Sequence, residues 1–125
     1  MLRVYLSARW QRQEEMRGVR TRLESLGVKV NASWLDEKIG DRTEREAAEI
    51  DVNEVSSADI LIAFTETPEV GYYTGGRHVE LGVAIALSVP IVCIGPRENI
   101  FHHMERVTQF DALGDWIASV NLKAA

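Results

Sequence analysis

The chain has 125 residues, 46% of them hydrophobic and 26% charged, the size and balance of one globular domain able to bury a core. Its net charge of −5 speaks against a nucleic-acid polymer as the main partner, because binding to a phosphate backbone draws on clustered Lys and Arg. No stretch approaches the roughly 18 apolar residues of a membrane span, and the start, Met1-Leu-Arg-Val-Tyr-Leu6, has no basic segment leading into a long apolar one, so a cytoplasmic protein with no membrane partner is expected.

Val4 to Leu6 begins a short strand. From Trp10 to Leu26 the residues Met16, Val19, Leu23 and Leu26 recur at helical spacing, and Gly27 ends the segment. Its arginines, Arg12, Arg17, Arg20 and Arg22, interleave with Glu14, Glu15 and Glu24 and predict a solvated face with i,i+4 pairs, while Arg9 stands apart at the strand end. Val28 to Val30 opens a second strand, Asp36 to Asp41 is a polar loop, and Thr43 to Val55 reads as a helix. Asp59 to Phe64 is a near-continuous apolar run of the kind buried on both faces, which argues for a parallel sheet. A loop from Thr65 to Gly75 leads to a helix from His78 to Leu87 and a strand from Ile91 to Ile94. Cys93, the single cysteine, lies in that strand, so it reads as a small core residue in a reducing compartment. A helical turn near Asn99 to His103, a short strand near Val107 and a helix from Asp111 to Val120 complete the chain.

Five strands alternating with helices predict a single-domain α/β fold over residues 1–125, doubly wound and flavodoxin- or Rossmann-like, with a five-stranded parallel sheet and helices on both faces. No repeat, linker or low-complexity segment suggests a second module. In such sheets a ligand lies beyond the carboxyl ends of the strands, near the point where strand order reverses, so the loops after Leu6, Phe64 and Ile94 are expected to converge.

The stretch Thr74-Gly-Gly-Arg-His-Val-Glu-Leu-Gly82 opens the third long helix at this edge. Glycines let a backbone approach a ligand closely, and the N–H groups of a first helical turn favour an anion. Glu80 is the acid this helix carries, and the helix N-terminus with Gly75, Gly76 and Arg77 is expected to favour its charged form. A glutamate near a helix start also serves simply to complement the helix dipole, so the motif alone marks a location and leaves the reaction open.

The order Tyr5-Leu6-Ser7-Ala8-Arg9, then Asp51 eight residues before Asp59 of Ala58-Asp59-Ile60-Leu61-Ile62, then the glycine turn ending in Glu80-Leu81-Gly82 resembles the nucleoside 2-deoxyribosyltransferase family, including the related 2′-deoxynucleoside 5′-monophosphate N-hydrolases. The resemblance covers residues 2 to about 103. It implies cleavage or transfer at the N-glycosidic bond of a small-molecule nucleoside or nucleotide. Glu80 matches the nucleophile that forms a covalent glycosyl intermediate, Asp51 the acid that handles a proton or orders the sugar hydroxyls, and Tyr5 the tyrosine that orients the nucleophile. In some members an Asn from the region of Asn99 reaches a neighbouring subunit's pocket, and a homodimer or higher homo-oligomer is expected.

The hydrolases place serines for the 5′-phosphate near the first strand and the nucleophile turn, where this chain has Ser7 together with Arg9 and Arg77 as donors of charge-assisted hydrogen bonds. The transferases carry an Asp six residues before the nucleophile, where this chain has Thr74. Trp10 and Trp34 offer flat faces for a base, with packing the stronger expectation for Trp34, and Trp116 reads as core. Asp59, at the opposite sheet edge, reads as structural. His102 and His103 are adjacent and lack an evident third ligand, so no metal and no cofactor is expected, and His102 reads as a base-contacting or interface residue. A non-catalytic nucleotide-binding or sensing domain of the same fold is the alternative, and a nucleotide phosphoribohydrolase with a turn like Tyr73 to Glu80 is a third possibility.

Overall fold

A computed structural model describes residues 1–70 and 75–122. Strands β1 (Arg3–Ser7), β2 (Lys29–Val30), β3 (Ile60–Phe64), β4 (Ile91–Ile94) and β5 (Val107–Phe110) form one sheet in the order β2-β1-β3-β4-β5. Every pairing is parallel, with Leu6 opposite Ile62 and Ile62 opposite Val92. Parallel neighbours need crossovers, and these are supplied by α1 (Gln13–Ser25), α2 (Glu44–Ser56) and α3 (Gly76–Ala86); α4 (Leu113–Ser119) follows β5. The helix α2 packs on α3, while Gly114 of α4 lies beside Arg22 of α1, so the pairs cover opposite faces of the sheet. This is the expected doubly wound architecture, with the order reversal falling between β1 and β3.

Apolar runs in the central strands follow from burial on both faces. Val4, Tyr5, Leu6, Leu61, Ile62 and Cys93 are completely inaccessible, and Met16 and Leu23 of α1 and Leu81 and Ala84 of α3 close over them. At about 25 cal/mol per Å² of apolar surface, each of the Val, Leu, Ile and Met side chains among them contributes on the order of 1.5–3 kcal/mol.

Several local details differ from expectation, among them the start of α3 at Gly76 rather than His78 and of α4 at Leu113 rather than Asp111. The segment after β1 starts as a 3-10 turn, Trp10–Arg12, before α1 proper begins at Gln13. Thr43 stands outside α2 as its N-cap, its hydroxyl accepting from the Glu46 N–H while the Glu46 carboxylate accepts from the Thr43 N–H. The arginines of α1 reach across rather than along the helix: Arg20 forks onto Asp36 at 2.7 and 2.8 Å, and Arg17 donates to the Leu35 carbonyl at 3.1 Å. Only Arg12 pairs within the helical segment, with Glu15, among the described ion pairs. Asp59 accepts from the Arg3 N–H at 2.8 Å at the amino edge of the sheet, the structural place its sequence position suggests.

Candidate active site

At the carboxyl edge, beside the β1/β3 reversal, lies a cleft of about 620 Å³. It is walled by residues 8–11 after β1, by Trp34 and the segment around Glu37 to Glu44, by Ala47 and Asp51 of α2, and by Gly75, Gly76, Arg77 and Glu80. Gly75 caps α3 with φ 84°, a left-handed conformation that a residue with Cβ adopts at a cost, and this turn brings the helix start to the cleft.

Alternation along β1 explains how the central carboxylate is held. Tyr5 and Ser7 are two residues apart and project to the same face of the sheet, beneath α3. The Tyr5 hydroxyl donates to Glu80 Oε2 at 2.7 Å and the Ser7 hydroxyl donates to Glu80 Oε1 at 2.7 Å. Each carboxylate oxygen therefore has one buried donor and keeps acceptor capacity. Burial, together with the neighbouring Glu80 charge, holds the Tyr5 hydroxyl far above its ordinary value, so it remains a donor throughout the physiological range.

The protonation of Glu80 departs from expectation. It is the fifth residue of α3 rather than part of the first turn, and the Arg77 guanidinium turns to the Glu98 carboxylate, with Nη2 at 2.8 Å from Oε2. Burial raises the Glu80 carboxyl to about 7, against the two hydroxyl hydrogen bonds and with the help of the Asp51 and Glu54 charges. Burial likewise lifts Asp51 to about 6, reinforced by Glu37 and Glu54 and opposed by Arg42. Asp51 Oδ1 is buried with no hydrogen-bond partner among the described residues, although the residue lines the cleft. Two carboxylates with raised values thus line one cleft.

Trp34 is 6% exposed, and its Nε1 donates to the Leu6 carbonyl at 2.9 Å, so packing accounts for it as expected while its ring also reaches the cleft wall. Trp10 is 40% exposed and lies with its ring centroid 6.1 Å from that of Trp34, tilted by 37°. Arg9 lines the mouth and is 3.4 Å from Glu66, a buried carboxylate that Arg12 also contacts at 3.0 Å. Burial would raise Glu98, but the Arg77 guanidinium and the Glu66 N–H outweigh it and hold this carboxyl below its ordinary range.

Asn99 and His102 stay away from the cleft of their own chain. The Asn99 side chain caps a 3-10 turn, Ile100–His103, by accepting from the Phe101 N–H at 2.9 Å, and His102 is 1% exposed with Nδ1 accepting from the Glu98 and Asn99 N–H groups at 3.3 Å. Thr74 and Tyr73 lie outside the described residues.

Sequence reasoning overlooked Glu37, Arg42 and Glu54. Arg42 Nη1 donates to Glu37 Oε2 and Ser33 Oγ, both at 3.2 Å, and Ser33 in turn donates to Glu54 through its N–H at 3.1 Å and its hydroxyl at 2.9 Å. These residues sit in a polar stretch and on a helix rich in acids, with no motif or periodicity to separate them from solvated charge.

A doubly wound α/β fold with a hydroxyl-bound carboxylate at the strand-order reversal is thus the class of molecule on hand. Among solved structures it is similar to a CMP N-glycosidase of Clostridium botulinum, at 20% identity and a TM-score of 0.66 over 94% of this chain and 96% of that one. It is also similar to a 2-deoxyribosyltransferase of Bacillus psychrosaccharolyticus, at 15% identity and a TM-score of 0.71 over 98% and 94%. A third, from Leishmania mexicana and likewise a 2-deoxyribosyltransferase, shares 15% identity with a TM-score of 0.62 over 75% of this chain and 64% of that chain. These likenesses show the fold. No family model matches the chain, and no curated protein matches it in sequence.

Proposed function

We propose that this protein belongs with the nucleoside 2-deoxyribosyltransferases and their N-glycosidase relatives, and that it cleaves or transfers at the N-glycosidic bond of a nucleoside or its 5′-monophosphate. The observation that carries this reading is the Glu80 carboxylate gripped by Tyr5 and Ser7 in a cleft shared with Asp51. A site built only to bind phosphate has no use for a buried carboxylate, whose charge would repel the ligand.

In the proposed reaction a Glu80 oxygen attacks C1′ of the sugar. The C1′–N bond breaks with its electron pair passing to the base, and the base takes a proton from the Asp51 carboxyl. Tyr5 and Ser7 hold the carboxylate plane while charge leaves it. Water, or a second base, then attacks C1′ from the vacated side; the C1′–O bond to Glu80 breaks with its electron pair returning to the carboxylate, and the proton of the attacking water O–H or base N–H passes to Asp51. Trp10 offers a stacking face for the base, and Arg9 with the α3 N-terminus at Gly75 and Gly76 offers a place for a 5′-phosphate or hydroxyl. The reading includes a homodimer in the cytoplasm as the working form.

Chromatography of free base released from ribo- and deoxyribonucleosides and their 5′-monophosphates, with and without an acceptor base, tests this directly. Release that requires Glu80 and vanishes in Glu80→Ala is expected, and the acceptor arm separates transfer from hydrolysis. No base from any substrate would leave a nucleotide-binding domain as the better description.

A further inference from the structure

We propose that Glu37 and Arg42 read the edge of the base in the cleft, and that they select a base bearing an exocyclic amine over one bearing a carbonyl at the same position. The proposal rests on the glycosidic reading above for its orientation of the substrate.

Both residues line the same cleft as Glu80 and Asp51, with side chains 13% and 28% exposed, so they are half-buried and still open to a ligand. Their placement is set in advance from several directions. The Glu37 N–H donates to the Trp34 carbonyl at 3.2 Å, and its own carbonyl accepts from Gln13 Nε2 at 2.7 Å. Between the two residues the chain turns tightly, the Asp41 N–H donating to the Lys38 carbonyl at 3.0 Å and the Lys38 N–H to Asp41 Oδ2 at 2.9 Å. That turn brings Glu37 and Arg42 side by side, and Ser33, clamped by Glu54, anchors the guanidinium from behind.

A guanidinium only donates and an ionised carboxylate only accepts. Together they complement a heterocycle edge on which a ring nitrogen stands beside an amino group, the arrangement in cytosine and adenine. Facing uracil or hypoxanthine, the same carboxylate meets a carbonyl oxygen, and two acceptors are left opposed. Glu37 lines the same cleft as the Asp51 carboxyl that serves the leaving group in that reading, and its charge, after burial, helps to raise Asp51. The exposed Trp10 ring on the same cleft supplies a flat wall, which a base uses and a sugar hydroxyl does not.

The test measures dissociation constants by calorimetry for the matched pairs cytidine/uridine and adenosine/inosine, in deoxy and ribo forms, on the non-turning-over Glu80→Gln protein and on Glu80→Gln/Glu37→Gln. Turnover on the native chain and Glu37→Gln runs in parallel. An amino preference of about 10- to 100-fold is expected from one charge-assisted hydrogen bond, falling to near parity or reversing once an amide replaces the Glu37 carboxylate. Equal affinity for both members of each pair on Glu80→Gln overturns the assignment whatever the double variant does. So does a Glu37→Gln effect on the deoxy-to-ribo ratio with the base ratio unmoved. Absence of turnover from every substrate overturns the glycosidic reading alone, because the binding ratio is read without catalysis.

Discussion

Glu80 illustrates a conflict between stability and chemistry at a single residue. Its ordinary value of 4.5 rises to about 7 in the fold, mainly by burial. Stability present below the unfolded value is therefore lost as pH rises through about 7, by about 3 kcal/mol at most. Glu80→Gln keeps the shape and drops the buried charge, so it should raise stability by about 1–3 kcal/mol at pH 8 and little at pH 5 while abolishing base release. Urea melts at the two pH values check the stability arm; an equal effect at both would remove buried charge as its source. The pair also sets the pH dependence. With Asp51 at about 6 and Glu80 at about 7, the form with Asp51 protonated and Glu80 ionised is the minor singly protonated form between those values. A bell-shaped kcat/KM with limbs near those values is expected. Tyr5→Phe removes a bond that lowers Glu80, so the alkaline limb should move up and the maximum fall, with the acid limb unmoved; an acid-limb shift in the pH profile would contradict these roles. At this scale the resemblance singled out Glu80, Asp51 and Tyr5, and the fold brings them together, Tyr5 bonded to Glu80 and Asp51 lining the same cleft. Their protonation was not legible in the sequence, because it depends on what surrounds them.

Elements and their turns position those residues. Gly95, directly after β4, has φ 113°, and a Cβ there would lie 2.6 Å from the Thr65 hydroxyl oxygen. The loops after β3 and β4 meet at that contact, where the Thr65 N–H donates to the Ile94 carbonyl at 3.0 Å. Gly95→Ala is expected to destabilise the fold by about 1–3 kcal/mol through strain and clash, as read from chemical denaturation; a cost below about 0.5 kcal/mol would mean the loop yields freely. Apolar periodicity and apolar runs located the helices and strands of the described residues, since burial writes itself into the order of apolar residues. They missed the 3-10 start of the first helical segment and the interior role of the 33–42 turn. Those are settled by hydrogen bonds such as Trp34 Nε1 to the Leu6 carbonyl, which leave no repeating signature.

For the whole molecule, exposed apolar residues flank the point where Asn99 Nδ2 and His78 Nδ1 approach to 3.4 Å: Val79, next in the chain to His78, is 62% exposed, and Ile100 and Phe101, following Asn99, are 76% and 52% exposed. Such a patch supports the expected homodimer, and light scattering should report twice the 14.0 kDa chain mass, with the single-chain mass removing the idea. The α/β class, the parallel sheet and the place of the glycine turn with Glu80 at its carboxyl edge were determined by the sequence alone, because hydrophobic period and turn residues are local properties, whereas Asp51 was marked only by the family resemblance. Tertiary structure alone decided three things: that Arg77 answers Glu98, that Asn99 and His102 stay out of their own chain's cleft, and that Glu37 and Arg42 enter it. Each depends on contacts between segments distant in the chain or on how a turn folds back, where charge and hydrogen bonding choose among many partners that the linear order does not rank.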